Sequence, residues 1–469
     1  MRYTVKNFGP ISLADLEMGD LTLVCGRNNT GKSYLTYSLF SLLSFARNDI
    51  LVSPDDSEAK ILCKMGKVVI DLVALATRYN ERFSNGNMQR FIDALPGSLA
   101  VNKSVISSAE FKLEVDTEVM RKSLMDLEYE GREFWQVSDN CKIFLKKSRG
   151  QSTVECRLNI DEISPSSSSS LLTDEDGKET LPQNDVIIRN LQLLISFLIN
   201  HSVQDAFIIT CERTGVAIFG DEFSIFRAMA CEDDKNLVRM GELRKRFGFK
   251  GYPLPIRKDL DFSLKLSEIS TKDGFVAAKH PEIIEALNSI VGGQYSFNKD
   301  TNSIRFKPLN HDLSLSLVES SSSVRSLSEL TFYLKHKSRK GDLLIVDEPE
   351  LNLHPDAQRK MARIFAMLVN AGIKVFITTH SDYILRELNA LIMLNNLEKE
   401  KKDNIFAKHG YTDACMIGRD QVKCYVLADG KTIPMVPHER LGYPVSSFDD
   451  TIEQFNALYN DITDVDEQC

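Results

Sequence analysis

The sequence predicts an α/β protein, in which a mostly parallel sheet is covered by helices on both faces and is interrupted by a large, mainly helical insertion. Three observations support this prediction. An apolar strand, Leu21 to Cys25, is followed by a glycine-containing loop and an amphipathic helix. A second apolar run, Leu343 to Val346, ends in two acidic residues. Strands and helices alternate between residues 313 and 378, with mainly helical patterns in the segments before them.

Each segment has a predicted place in this architecture. Tyr3 to Phe8 is a short strand that turns at Gly9-Pro10, and the helix after the second strand begins near Lys32. Residues 59–94 carry apolar residues at helical spacing and are predicted to be helical. The other predicted elements are strands at 110–115, 142–146, 153–160, 207–210, 313–318 and 374–378, helices at 186–200, 324–335 and 356–370, and a hairpin at 295–306.

The same alternation predicts the domain boundaries. One α/β domain is built from two halves that are far apart in the sequence, and insertions separate them. The predicted segments are the N-terminal half (1–45), inserted helices and strands (46–204) with a flexible loop near 164–185, a return to the domain (205–220), a helical insertion (221–292), the C-terminal half (293–395) and a C-terminal extension (396–469).

The bulk composition is that of a globular chain with two or three domains. Its 469 residues are 43% hydrophobic and 26% charged, which excludes wholesale disorder. The net charge of −9 gives no global attraction to nucleic acid or to an anionic membrane, but allows a local basic surface. The nine cysteines form no CxxC pair, which favours reduced thiols. With no recognisable signal peptide or membrane span, we expect a cytoplasmic protein without membrane contact.

The loop before the first long helix has the composition of a phosphate-binding site. It fits the pattern GxxxxGK[ST], in which glycines let successive backbone N–H groups surround phosphate oxygens and the helix N-terminus adds a favourable dipole. Lys32 would contact the β- and γ-phosphates, and Ser33 would offer its hydroxyl to magnesium. The sequence therefore predicts that ATP and Mg2+ bind at a phosphate loop formed by Gly26, Arg27, Asn28, Asn29, Thr30, Gly31, Lys32 and Ser33.

The acids after the second apolar strand complete this chemistry. Because the strand is buried on both faces, Asp347 and Glu348 at its end must meet ligands or lose their solvation without compensation. Asp347 is placed to hold the magnesium shell, and Glu348 to orient and deprotonate the attacking water. The alternative is a solvated turn, which a phosphate loop in the same chain disfavours.

Two motifs resemble ABC-type ATPase heads. EPELNLHP at 348–355 and ITTHS at 377–381 are similar to the branch that contains chromosome-maintenance (SMC) proteins, recombination-mediator ATPases and overcoming-lysogenization-defect (OLD) ATPases. FIITCERTG at 207–215 resembles an element of small ATPases from bacterial anti-phage operons. The resemblance implies an ABC-type P-loop ATPase head, two copies of which close around ATP and magnesium. It covers roughly residues 1–45, 205–220 and 290–395.

The resemblance also implies roles for further residues. His380 falls at the switch histidine that senses the γ-phosphate, and Asn352-Leu353-His354 at a loop that crosses the dimer interface. Residues 319–327, the serine segment, fall where relatives contact ATP held by the opposite subunit, so Ser321 and Ser322 are candidate ATP contacts. Relatives usually carry glycine there, whereas this segment contains serines and no glycine. The alternative is that the serines only cap a helix.

Taken together, the resemblance implies an ATPase that forms a homodimer or higher homo-oligomer. It would control a separate effector, such as a nuclease, in anti-phage defence, like the ATPases of Septu, retron-associated or PARIS-type systems. A DNA-clamping ATPase of recombination or repair stays open, as does a scaffold that uses ATP mainly as a structural ligand. Basic and aromatic residues at 142–149 and 243–250 would allow contact with DNA or RNA, but a solvated charged face is the commoner explanation of such segments. Arg213 would reach a phosphate or partner, or would pair internally with Glu212 or another acid.

Overall fold

The computed structural model describes residues 1–48, 56–85, 88–115, 117–130, 135–138, 141–160, 184–200, 205–220, 251–438, 441–444 and 457–459. The predicted flexible loop near 164–185 lies outside this part of the chain except for its last two residues, which begin a helix, and so does the basic segment 243–250. The chain divides into two compact units. The larger comprises Arg2–Ser41, Ile92–Phe111 and Ala206–Cys469, and the smaller consists mainly of Leu42–Phe91 and Lys112–Asp205.

The described elements alternate between strands and helices in both halves of the chain. The strands are β1 Arg2–Phe8, β2 Ile11–Glu17, β3 Leu21–Cys25, β4 Lys67–Asp71, β5 Glu110–Glu114, β6 Tyr129–Glu130, β7 Trp135–Ser138, β8 Cys141–Lys147, β9 Thr153–Ile160, β10 Ala206–Ile209, β11 Gly293–Asn298, β12 Ser303–Pro308, β13 Leu315–Ser316, β14 Leu343–Asp347, β15 Lys374–Thr379, β16 Val422–Ala428 and β17 Lys431–Pro434. The α-helices whose two ends lie within the described residues are α1 Lys32–Asn48, α2 Asp56–Met65, α3 Leu72–Asn85, α4 Met88–Leu99, α5 Thr117–Asp126, α6 Asn184–Asn200, α7 Leu254–Leu264, α8 Leu266–Ile269, α9 Phe275–Lys279, α10 Pro281–Val291, α11 Ser322–Phe332, α12 Pro355–Asn370, α13 Asp382–Asn395 and α14 Lys399–His409. Residues 213–220 are also helical.

A nine-stranded sheet carries the candidate site, in the order β10-β14-β15-β3-β16-β17-β2-β1-β5. The first five strands in this order are parallel to one another. All five residues of β3 and of β14 are buried, as expected for apolar strands covered on both faces. The predicted α/β class is confirmed.

The carboxyl ends of the parallel strands meet at one edge of this sheet. Asp347 at the end of β14 pairs in register with Thr378 of β15, and Thr379 pairs with Cys25 of β3. The segments that leave these strands therefore emerge side by side. In parallel sheets this edge is where ligands usually bind.

The C-terminal region contributes a strand to the middle of this sheet. Residues 396–469 are more than the predicted extension, because β16 pairs in parallel with β3 and is followed by its antiparallel neighbour β17. The backbone of the phosphate loop packs closely on this addition, because a Cβ atom at Gly26 would lie 2.6 Å from the carbonyl oxygen of Leu427.

The smaller unit contains a five-stranded antiparallel sheet in the order β4-β9-β8-β6, with β7 also paired to β8. The prediction of continuous helix over 59–94 is wrong at one point, because β4 interrupts it. Val68 and Ile70 are buried while Lys67, Val69 and Asp71 are exposed, and this two-residue alternation is typical of a half-buried strand. A window set to helical spacing misses so short a strand.

Two other predicted elements of the larger unit need correction. The strand expected at 313–318 is reduced to β13, two residues paired with β12. The helix expected at 324–335 begins two residues earlier, at Ser322, and continues after Phe332 as a π-helix, Tyr333–Lys337. The hairpin expected at 295–306 is confirmed as β11 and β12.

In the described part of the chain, no helix is long and apolar enough to cross a membrane.

Candidate nucleotide-binding site

The phosphate loop lies between β3 and α1 and has a backbone that requires small or permissive residues. Asn29 and Gly31 have φ angles of +62° and +104°. A Cβ atom at Gly31 would lie 2.8 Å from Cγ of Pro10. Thr30 closes the loop, because its hydroxyl donates to the carbonyl of Arg27 at 3.0 Å. Arg27, Asn28 and Asn29 are exposed on the loop, so the residues predicted to surround phosphate do form one turn.

Lys32 lies at the start of α1 and is only 4% exposed. Its ammonium donates to the carbonyl oxygens of Gly26 at 3.0 Å and Arg27 at 2.9 Å, and it also lies 3.4 Å from Nδ1 of His380. Burial lowers the pKa of Lys32, and the nearby carboxylate of Glu348 is the largest opposing influence. The lysine charge is thus held inside the loop.

Asp347 is fully buried at the end of β14. Its Oδ1 accepts a hydrogen bond from the hydroxyl of Thr378, whereas Oδ2 has no hydrogen-bond partner among the described residues. Burial raises the pKa of Asp347, and the hydroxyls of Thr378 and Ser33 oppose this shift. A buried carboxylate oxygen without a partner, near a serine hydroxyl, is suited to a cation.

Glu348 turns the chain sharply after the strand. Its φ angle is +51°, in the left-handed region that non-glycine residues rarely occupy. Its Oε1 lies 3.2 Å from Nε2 of His380, and this hydrogen bond is the main reason why the pKa of Glu348 is lowered. Because Nδ1 of the same ring faces the ammonium of Lys32, which can only donate, Nε2 is the nitrogen that donates to Glu348.

Glu350 connects the acidic turn with the loop after β15. Its Oε1 accepts from the backbone N–H of His380 at 2.5 Å, and burial raises the pKa of this carboxyl. On the other side of His380, the hydroxyl of Ser381 donates to Gln358 of α12 at 2.5 Å. We call residues 347–350 the acid loop. These contacts fix the backbone on both sides of the histidine.

Arg213 follows β10 and is only 3% exposed. Its guanidinium donates to the carbonyl oxygens of Asp347 at 2.9 Å and Glu348 at 2.8 Å, and to that of Thr210 at 3.0 Å. Its Nε donates to the carbonyl and hydroxyl of Ser326 at 3.1 and 3.0 Å. Burial lowers its pKa. Among the described residues, these hydrogen bonds go to carbonyl and hydroxyl oxygens rather than to the carboxylate of Glu212.

Residues 245–385 match the family model of an AAA ATPase domain. Solved structures of chromosome-maintenance heads are also similar to the chain. The Smc head bound to the C-winged helix domain of ScpA is 10% identical over 92% of this chain and 97% of that chain, with a TM-score of 0.32. The SMC head domain from Thermotoga maritima is 11% identical over 93% and 98%, with a TM-score of 0.30. None of the curated proteins compared with the chain matches it.

Part of the chain is therefore similar to an ATPase domain. The matched segment includes the acid loop, His380 and the serine segment, and the sheet places the phosphate loop beside His380. Ser33 and Asp347 would supply oxygen ligands to a magnesium ion here. The remaining ligands of such an ion are usually water molecules and phosphate oxygens. The described residues contain no group of three or more His, Cys, Asp or Glu side chains suited to a metal. Two protein oxygens beside bound phosphates fit this ion better than a protein-only cage.

The two predicted serines lie at the N-terminus of α11, which we call the serine helix. Ser321 is its N-cap: its hydroxyl accepts from the backbone N–H of Val324 at 3.3 Å, and lies 2.9 Å from the hydroxyl of Ser323. Ser321 and Ser322 are both exposed. Within the part of the chain that the structure describes, no hydrogen bond joins either serine to the phosphate loop. Ser321 therefore does cap this helix, and both serines remain accessible to a second molecule.

A further contact joins the phosphate-loop helix to the turn after β10. The hydroxyl of Tyr37 donates to Oε2 of Glu212 at 2.6 Å, and the thiol of Cys211 donates to the same oxygen at 3.2 Å. Sequence reasoning missed this pair and also Thr378 and Glu350. A tyrosine one turn after the phosphate loop carries no signal by itself, since its partner lies 175 residues later.

Proposed function

We propose that this protein binds and hydrolyses ATP at two sites shared between two copies of the chain. The observation that carries this proposal is the hydrogen-bonded series Lys32, His380 and Glu348, which joins the group suited to phosphate with the group suited to activating water. Each site would combine the phosphate and acid loops of one copy with the serine helix of the other. Ser321 and Ser322 support this division, because they are exposed at a helix N-terminus, where anions are favoured.

Within this site each residue has a chemical task. Lys32 would exchange its bonds to loop carbonyls for bonds to phosphate oxygens. Glu348, held ionised by the N–H of His380, would accept the proton of the attacking water. Magnesium, when bound by Asp347 and Ser33, would neutralise charge on the phosphates. The fixed backbone of His380 would keep its ring between the lysine and the base.

The purified chain tests this activity. With ATP and Mg2+ in single-turnover conditions it should produce ADP and phosphate, and nucleotide should increase the fraction of paired chains. Binding without any hydrolysis would instead favour the use of ATP as a structural ligand. Absence of binding would contradict the proposal altogether.

We further propose that pairing controls a separate effector, such as a nuclease, in cytoplasmic anti-phage defence. The support is the similarity of residues 207–215 to ATPases of anti-phage operons and the lack of a nuclease motif in this chain. Affinity purification of the native protein, followed by identification of the chains that co-purify, tests it. A nuclease that binds in a nucleotide-dependent way would support effector control. Recovery of recombination proteins, together with DNA-stimulated hydrolysis, would contradict it.

A further inference from the structure

Arg213 lies in the segment 207–215, for which the sequence predicts no definite role in the nucleotide site, yet it joins two parts of the site that would serve different nucleotides. Two of its nitrogens hold the carbonyls of Asp347 and Glu348 in the acid loop, and the third holds Ser326 of the serine helix. The hydroxyl of Ser326 in turn donates to the carbonyl of Leu351 at 3.0 Å. The serine helix is thus connected to the acid loop through Arg213, and directly to Leu351, the residue that follows the acid loop.

We propose that Arg213 is a positioning residue for both ATP sites of a pair. It would fix the acid loop that acts on its own copy's ATP and, through Ser326, the serine helix that completes the partner's site. The inference rests on the proposed function, in which Ser321 and Ser322 serve nucleotide held by the other copy.

The first half of this inference follows from the backbone of the acid loop. Glu348 adopts a left-handed conformation, which is unfavourable for a non-glycine residue and persists only where the surroundings hold it. Arg213 binds the carbonyls of this residue and of the one before it with separate nitrogens of one planar group. Lysine keeps the charge but has a single nitrogen, so it cannot reproduce this geometry. Without the guanidinium, the Glu348 side chain would lose its orientation toward His380.

The second half follows from the serine helix itself. Ser326 lies five residues after the N-cap Ser321 in the same helix, a distance of about 7.5 Å along the axis. A helix moves as a rigid element over this length, so a displacement at Ser326 also displaces the exposed serines. Because Arg213 and Ser326 are both buried, water cannot replace their hydrogen bonds at low cost. The same residue therefore influences groups directed at two different nucleotides.

Two complementing chains separate these effects. The loop chain carries Ser321→Arg and Ser322→Arg and keeps its phosphate loop, whereas the helix chain carries Lys32→Ala and keeps its serines. In their mixture, one working site combines the phosphate loop of the first with the serine helix of the second. Arg213→Lys is then added to the helix chain. This chain binds no nucleotide itself, so the substitution can act only on ATP held by the other copy. We expect the single-turnover rate to fall about tenfold or more, at unchanged ATP affinity, because small misplacements are costly in a catalytic site.

Matched variants make the result decisive. Arg257→Lys, the same substitution at an exposed position of α7, should leave the rate of the mixture unchanged. Ser326→Ala in the helix chain should reproduce the loss with a smaller perturbation of the core, which covers the case that Arg213→Lys does not fold. A mixture that hydrolyses ATP equally well with either substitution in the helix chain overturns this inference alone. A mixture that is inactive without them overturns the shared site and the inference with it.

Discussion

Nε2 of His380 lies 3.2 Å from Oε1 of Glu348, and the other nitrogen of the same ring lies 3.4 Å from the ammonium of Lys32. The residues come from three segments that are far apart in the sequence, yet β14, β15 and β3 are adjacent parallel strands. The histidine therefore connects the residue suited to phosphate with the residue suited to water activation. The first four predictions below test this relationship and the groups around it.

Lys32→Ala should remove ATP binding without unfolding the protein. Among the described residues, the ammonium makes hydrogen bonds with loop carbonyls and His380, so its loss removes a phosphate ligand. We expect ATP affinity to fall by roughly tenfold or more, as for a lost charge-assisted hydrogen bond. Titration with a fluorescent ATP analogue measures this, and Lys258→Ala on exposed α7 is the control. A folded variant that binds ATP as tightly as the wild type would show that the phosphate loop is misread.

Glu348→Gln should allow ATP binding but prevent its hydrolysis. The amide keeps the size of the side chain and loses the basic oxygen, so the rate should fall about 100-fold or more. ATP should then persist, and the paired form should accumulate. Single-turnover hydrolysis and size-exclusion chromatography with ATP measure both effects, with Glu285→Gln as an exposed control. An unchanged rate in the folded variant would remove Glu348 from the role of base.

His380→Ala should shift the acid side of the pH–rate profile to higher pH. The hydrogen bond from His380 is the main cause of the lowered pKa of Glu348, so its removal should raise that pKa. A base with a higher pKa becomes protonated earlier as the pH falls, and the rate should decline earlier with it. His311→Ala, at an exposed site, should leave the profile unmoved. If the acid limb of His380→Ala coincides with that of the wild type, the histidine does not hold the base ionised.

Asp347→Asn should abolish magnesium-dependent hydrolysis while leaving the fold at least as stable at neutral pH. Burial raises the pKa of this carboxyl in the folded state, so the native protein binds the proton more readily than the unfolded chain. Its ionisation therefore costs stability above the raised pKa, and the cost disappears below the unfolded value. Melting temperatures across pH measure this, with Asp300→Asn in an exposed turn as control. A marked loss of stability at neutral pH would show that Asp347 stabilises the fold, and would contradict its assignment as a magnesium ligand.

The residues of this site that come at or after the end of an apolar strand could be predicted from the sequence. Lys32, Asp347 and His380 each follow an apolar strand, and parallel strands bring their carboxyl ends to one edge of a sheet. Arg213 was not predictable in the same way, because its acceptors are carbonyl oxygens up to 135 residues away, which any residue type supplies. The central position of strand β16 was missed because no feature of the local sequence distinguishes a strand in the middle of a sheet from one in an appended hairpin.

The sharing of each ATP site between two chains is the central claim, and mixing two inactive variants tests it most directly. A chain with Ser321→Arg and Ser322→Arg should bind ATP through its own Lys32 yet fail to hydrolyse it, because bulk and positive charge stand where the two copies must close. A Lys32→Ala chain should fail to bind. Together they should hydrolyse ATP at no more than one site per pair, since one intact phosphate loop then meets one intact serine helix. Normal hydrolysis by the double-arginine chain alone would contradict the shared site.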